Sequence, residues 1–251
     1  MKNDNNNPKT FLVVGATGAT GRLLVEQLLL QGHYVKAIVR SLNRLPDQLK
    51  EQDNLTLIEA SLLNLSDEAI AVHAKDCDGI ASCLGHNMSW KGIYGHPRRL
   101  VTEATRRLCE AVKANAPDVP FRFVLMNTTG NRNRDLDEPI SLAQRFVIFL
   151  LRILLPPHVD NEQAAEHLRT RIGQDDPSVE WAAVRPDGLE DENTVTPYSI
   201  HPSPTRSAIF DAGKVSRINV AHFMAALLTK DGLWATWRGQ MPVIYGAGSQ
   251  G

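Results

Sequence analysis

Gly15, Gly18 and Gly21 recur every three residues in the run Gly15-Ala16-Thr17-Gly18-Ala19-Thr20-Gly21. The apolar stretch 11–14 precedes them and the helical pattern 22–31 comes directly after. A strand, a glycine turn and a helix in that order suit a pyrophosphate. The first glycine permits the tight turn, the second lets backbone approach the phosphates, and the third lets helix and strand pack closely. The start of the helix adds unpaired N–H groups and positive dipole. Thr17 and Thr20 can add hydroxyl donors, and Ala19 belongs to the same candidate cofactor-binding turn. Position gives this pattern more weight than spacing alone. The expected ligand is a dinucleotide.

The residues after the second apolar run, 34–40, speak to which dinucleotide. A site for NAD places an acid there to hold the ribose 2′-hydroxyl. This chain has Arg40, then Ser41 and Arg44. Guanidinium groups suit a 2′-phosphate through charge-assisted, bidentate bonds. The sequence therefore points to NADP(H). His158, behind Pro156 and Pro157, is a candidate pocket acid because histidine titrates near neutrality. Trp90 and Tyr94 lie between His86 and His96, in a stretch able to stack on a flat substrate. Two histidines ten residues apart, and cysteines 77, 83 and 109 without C-x-x-C spacing, give no metal site. The thiols are expected to be reduced, as in a cytoplasmic protein.

The elements that must position these groups alternate. Strand patterns at 11–14, 34–40, 55–58, 79–84, 121–126 and 180–184 are separated by helical patterns at 22–31, after Ser66, at 98–115 and at 160–172, the last with Asp160 as its cap. That rhythm predicts an α/β fold with a doubly wound parallel sheet, the Rossmann arrangement, as a single domain over 9–251 with a small C-terminal substrate-side region. The Asn-rich residues 1–8 read as a disordered tail without an apolar signal core. Substrate-side loops are expected at 86–97 and at 186–207, where four prolines leave no convincing period. A helix at 219–229 and a strand at 241–245 close the chain. A net charge of −1 leaves no footprint for nucleic acid. Residues 142–155 are strongly apolar but short and carry Arg145 and Arg152, so they predict a buried or interface helix rather than a membrane span, with a membrane-surface or hydrophobic-substrate role as the alternative. The same stretch could serve a protein partner or self-association.

The phrase VVGATGATGRLLVEQLLLQGHYVKAIVRSLNRLP resembles the short-chain dehydrogenase/reductase superfamily, in its atypical NmrA-like and flavin reductase/biliverdin reductase B groups. The likeness weakens toward SCLGH, WAAVRPDGL and KVSRINVAHFM. It implies that Ser61 and Leu62 meet the adenine, with Ser61 standing where relatives carry an acid. It also implies that Leu84 and Gly85 line the adenosine and pyrophosphate side. Thr128 or Thr129 would face the nicotinamide carboxamide or substrate, and Pro186 would lie against the nicotinamide. Asp187 stands where flavin-reductase relatives can carry a histidine acid, and Glu162 near where active relatives carry a lysine.

None of Tyr34, Tyr94, Tyr198 and Tyr245 has a lysine four residues on, so the Tyr-x-x-x-Lys pair of standard members is missing. Cofactor electronics and proximity suffice for a simpler transfer. The resemblance implies NADPH-dependent hydride transfer to a flavin, quinone or other planar carbonyl or enone. Two alternatives stay open: a non-catalytic redox sensor of the NmrA type, and an isomerase or dehydratase with tightly held cofactor.

Overall fold

Every residue of Phe11–Val14 is buried, because the strand is covered on both faces. Phe11 and Val13 enter one core cluster, Leu12 and Val14 the other. Alternation with a period of two therefore appears in the sequence as an unbroken apolar run. The computed structural model describes residues 7–86 and 90–249. In chain order these form β1 (Thr10–Val14), α1 (Ala19–Leu30), β2 (Tyr34–Val39), α2 (Asp47–Lys50), β3 (Leu55–Glu59), α3 (Asp67–Ala74), β4 (Gly79–Ser82), α4 (Trp90–Tyr94), α5 (Leu100–Ala114), β5 (Phe121–Met126), α6 (Leu142–Leu154), α7 (Pro156–His167), β6 (Val179–Pro186), β7 (Gly188–Glu190), β8 (Tyr198–His201), β9 (Lys214–Ser216), α8 (Arg217–Thr229), α9 (Asp231–Trp237) and β10 (Val243–Gly246).

Eight strands make one sheet in the order β3-β2-β1-β4-β5-β6-β10-β8. All pairs in it are parallel except β10 with β8 at the edge. The chain leaves β1 toward β2 on one side and returns to β4 on the other. The crevice beyond the carboxyl ends of β1 and β4 is the topological switch point, where such sheets take ligands. One core packs α1 and α8 on the sheet through Leu24, Leu28, Val220, Phe223 and Met224. The other packs α3, α5 and α7 through Ile70, Ala104, Leu108, Ala164 and Leu168. The doubly wound Rossmann fold is thus present.

Several expected boundaries move. The helix expected to start at a capping Asp160 begins at Pro156, where proline is tolerated because its missing N–H lies in the first turn. Asp160 is buried inside that helix and caps a different one. The stretch 186–207 holds β7 and β8. Proline-rich flanks hid both strands, since β8 pairs with β10 and β7 with β9 across long separations. Ser66 does cap α3, accepting from the Ala69 N–H at 3.1 Å. The stretch 142–155 is a helix, and of the two settings expected for it, buried or interface, only Ile148 of α6 meets the first. Of the expected tail, residues 1–6 lie outside the described residues, as do Asn87, Met88 and Ser89 of the first substrate-side loop.

Candidate active site

The turn after β1 is shaped by what it excludes. Gly15 has φ +81°, and a Cβ on it would stand 2.5 Å from the Cys83 carbonyl at the end of β4. A Cβ on Gly21 would stand 2.2 Å from the Gly15 carbonyl oxygen, so α1 lies directly on the turn. Gly18 is exposed at the N-cap of α1 with an ordinary extended backbone, and leaves the helix start open. A side chain at any of the three would meet backbone: at Gly15 and Gly21 below 3 Å, and at Gly18 the Gly15 carbonyl oxygen at 3.2 Å. Such a cradle fits a pyrophosphate.

A cleft of about 900 Å³, counted to its open mouth, sits over this turn. Gly15, Thr17 and Gly18 line it, with Arg40, Arg44, Ser61, Leu62, Leu84 and Gly85. Nine of the sequence-selected residues thus converge there. Ala19 and Gly21 are in the first turn of α1, outside the lining. Thr20 is buried in that turn and does not line the cleft. Arg40 and Arg44 are exposed at the rim, and among the described residues neither has a carboxylate within ion-pair distance. Glu59, at the end of β3, accepts from the Leu42 N–H at 3.2 Å and ties down the loop between them. Cys83 also lines the cleft, but burial pushes its thiol up to about 12, which makes it inert.

A second group forms around the end of β5 and lines no part of this cleft. The Thr129 N–H donates to the Pro186 carbonyl at 3.0 Å. Asp187 accepts from the Gly213 N–H at 2.8 Å and from the Thr129 hydroxyl. Burial dominates at Asp187 and holds its carboxyl above the usual range despite those donors. Thr128 Oγ1 accepts from the Gly130 N–H at 3.3 Å. The His158 ring lies over Gly130, and among the described residues its buried Nε2 has no hydrogen-bond partner. Desolvation lowers the His158 pKa, with Arg152 acting the same way against Glu162, so the imidazole is neutral at neutral pH. Glu162 is engaged by Arg152 in a two-pronged pair at 2.8 and 2.9 Å and stands 3.6 Å from His158. The four catalytic candidates are therefore neighbours, although they come from β5, α7 and β6.

Two buried constellations escaped the sequence reading. His86 lines the cleft, and its Nε2 is 2.7 Å from Asp160. Asp160 also accepts from the Val101 and Thr102 N–H groups at 2.7 and 2.9 Å, capping α5 across 59 and 58 residues. Burial alone would raise the Asp160 pKa, but His86, Thr102 and Val101 together hold it below the usual range. Arg185, fully buried, grips Glu138 at 2.7 and 3.1 Å and reaches the Asn131, Pro202 and Met241 carbonyls. No spacing rule announces either pair, because each joins distant segments.

Asp160→Ala should cost about 2 kcal/mol in urea unfolding, the upper range for losing a helix cap. The sign of its pH dependence follows from the lowered folded pKa. The carboxylate contributes fully above the ordinary value of about 3.9, and the contribution is lost as pH falls through the lower folded value. The variant should therefore show a shallower acid limb, and an unchanged acid limb would refute the assignment.

The model of the NAD(P)H-binding family matches residues 15–231. An uncharacterized chloroplastic protein of Arabidopsis thaliana is 24% identical over 224 residues, which cover 89% of this chain and 73% of that one. A short-chain dehydrogenase/reductase from Veillonella parvula, solved in complex with NADP, superposes with a TM-score of 0.69 at 17% identity, covering 97% of both chains. An anaerobillin reductase from Escherichia coli O157:H7 gives 0.65 at 17% identity, over 95% of this chain and 97% of that one. Identities this low establish the shared fold.

Proposed function

Because the chain belongs to the NAD(P)H-binding family, we propose that it is an NADPH-dependent reductase of the atypical short-chain type, passing a hydride to a small planar acceptor such as a flavin or quinone. The observation that carries this reading is the cleft over the glycine turn, with Arg40 and Arg44 at its rim, neither ion-paired among the described residues. Gly15 and Gly18 offer backbone to the pyrophosphate, and the two guanidiniums offer donors to a 2′-phosphate. Ser61 and Leu62 flank the adenine side, and Leu84 and Gly85 the adenosine and pyrophosphate side. Reduced nicotinamide, when bound, supplies the hydride.

This chain's residues then orient and protonate. Thr128, Thr129 and Pro186 stand at the carboxyl ends of β5 and β6, where a nicotinamide extending from the pyrophosphate would arrive. Asp187, whose carboxyl is held above the usual range, retains a proton more readily than an exposed aspartate. Neutral His158 can donate a hydrogen bond to an acceptor carbonyl. The protein supplies position and dry surroundings, and the acceptor's own electronics supply the rest.

Arg40→Ala should weaken NADPH about 10- to 100-fold, the range for one charge-assisted bond, and leave NADH nearly unchanged. Fluorescence titration with both cofactors, followed by an acceptor screen on the same sample, tests both halves. Equal losses for the two cofactors would refute the 2′-phosphate assignment. Tight NADPH binding with no turnover on flavins, quinones or enones would refute the reductase reading.

One observation favours a second reading, a redox sensor. The Tyr94 hydroxyl donates to the Leu154 carbonyl and Tyr198 bonds His222, so neither is poised as a proton donor over a nicotinamide. A sensor predicts partner binding that differs between NADPH and NADP+, measured by pull-down with each form.

A further inference from the structure

Helix α6 turns a face outward that folding leaves uncovered. Leu142, Phe146, Phe149, Leu150, Ile153 and Leu154 are exposed, with Phe146 and Ile153 at 61% and 62%. At 100° per residue they fall on one stripe, opposite the buried Ile148. The stripe continues onto α4, where the Tyr94 hydroxyl donates to the Leu154 carbonyl at 3.0 Å. Trp90, 82% exposed, stacks on Tyr94. An apolar patch of this extent on a polar-rimmed surface marks an interaction site.

Charge says what covers it. Neither α6 nor α4 contains an acidic residue. Arg145 stands at one end of the stripe and Arg98, bonded through Nε to the Tyr94 carbonyl, at the other. Among the described residues neither has an acidic partner. A second copy meeting this face symmetrically would bring arginines together with no carboxylate on the stripe to receive them. A sheet of lipid headgroups carrying negative charge receives both cations, and its acyl boundary receives Phe, Leu, Ile and Trp. Thirteen residues reach about 20 Å along a helix axis, short of the roughly 30 Å hydrocarbon core, so α6 lies along a bilayer rather than across it. Among the described residues no single helix is long and apolar enough to cross.

We infer that the α6–α4 face docks the protein on an anionic membrane surface. Docking would turn the substrate side toward the lipid, since α6 leads directly into His158 and its Gln144 accepts from Ser207, which closes the 186–207 stretch. The docking itself is independent of the reductase reading, because it is measured without turnover.

The test uses the full chain with sucrose-loaded vesicles of phosphatidylcholine alone, and of two parts phosphatidylcholine to one part phosphatidylglycerol. The expected result is sedimentation with the mixed vesicles, weaker with phosphatidylcholine alone, and a blue shift in tryptophan emission that Trp90→Phe removes. Trp181 and Trp234 are buried, and Trp237, half-buried on α9, packs against the core that holds α1 and α8, so these three contribute little to the shift. Phe146→Glu with Phe149→Glu should reduce partitioning at least tenfold, and Arg145→Gln about fivefold. Both sites are exposed, so NADPH affinity serves as the control for folding. No sedimentation with either vesicle at low salt overturns the inference. So does vesicle binding that survives the paired Phe substitutions, or a concentration-dependent dimer that those substitutions abolish.

Discussion

Gly21→Ala should lower unfolding free energy by about 3 kcal/mol and weaken dinucleotide binding at least 100-fold. The added Cβ would meet the Gly15 carbonyl oxygen at 2.2 Å and the Gly15 carbonyl carbon at 2.8 Å, both backbone. Neither can step aside as a side chain does, so α1 must lift off the turn and take the N–H groups of the phosphate cradle with it. Gly18→Ala separates the two effects. Its extended backbone angles suit alanine, but the new Cβ would stand 3.2 Å from the Gly15 carbonyl oxygen, a tight contact. Stability should fall by only about 1 kcal/mol, the difference between glycine and alanine as an N-cap, while binding falls because the methyl crowds the turn that must hold the pyrophosphate. Chemical unfolding and NADPH titration on the same two variants decide this. Undiminished binding by Gly18→Ala would falsify the cradle.

Glu138→Gln should cost about 3–5 kcal/mol, the range for a buried charge stripped of its partner. The substitution removes the carboxylate that faces the fully buried Arg185 guanidinium and substitutes an amide N–H for one of its acceptors. It also weakens the acceptor of the Asn133 N–H, which lies 2.8 Å from Glu138 Oε2. Arg185 joins four segments, since its donors reach carbonyls at Asn131, Pro202 and Met241 besides Glu138. Those segments border Pro186 and Asp187, so the variant should also lose order on the substrate side. Glu138→Leu combined with Arg185→Met should recover only part of the lost stability, because it removes the stranded charge but leaves the Asn131, Pro202 and Met241 carbonyls and the Asn133 N–H without their partners. Thermal unfolding of the single and double variants measures the coupling, and additive losses would show that the two residues act separately.

The resemblance carried by the N-terminal phrase led to the right fold class and family, and the reason is local. A doubly buried strand, a turn requiring φ +81° at Gly15, and a helix packed against that turn all lie within twenty-one residues. Arg40 and Arg44 were legible as cleft residues because a doubly wound sheet brings the end of its second strand beside the glycine turn. The 186–207 stretch was less legible. β7 and β8 are short, and what makes them strands is pairing with β9 and β10, which lie farther along the chain.

Asp160 shows the limit most plainly. As a sequence, an aspartate before a helical pattern reads as that helix's cap. In the fold, the helix already began at Pro156, and the carboxylate faces the N-terminus of α5 and the ring of His86. Arg185, near the end of β6, is a buried clasp that no local pattern announces. Residues 142–155 read as a buried or interface helix, and the fold leaves most of its apolar face in the open. The sequence by itself determined the glycine turn, the alternation of strands and helices, and the basic rim, since backbone conformation, periodicity and charge act over a few neighbouring residues. The tertiary structure alone decided which carboxylate meets which cation, which helix end receives Asp160, and which apolar face stays uncovered. Those outcomes depend on segments some fifty residues apart being packed against one another.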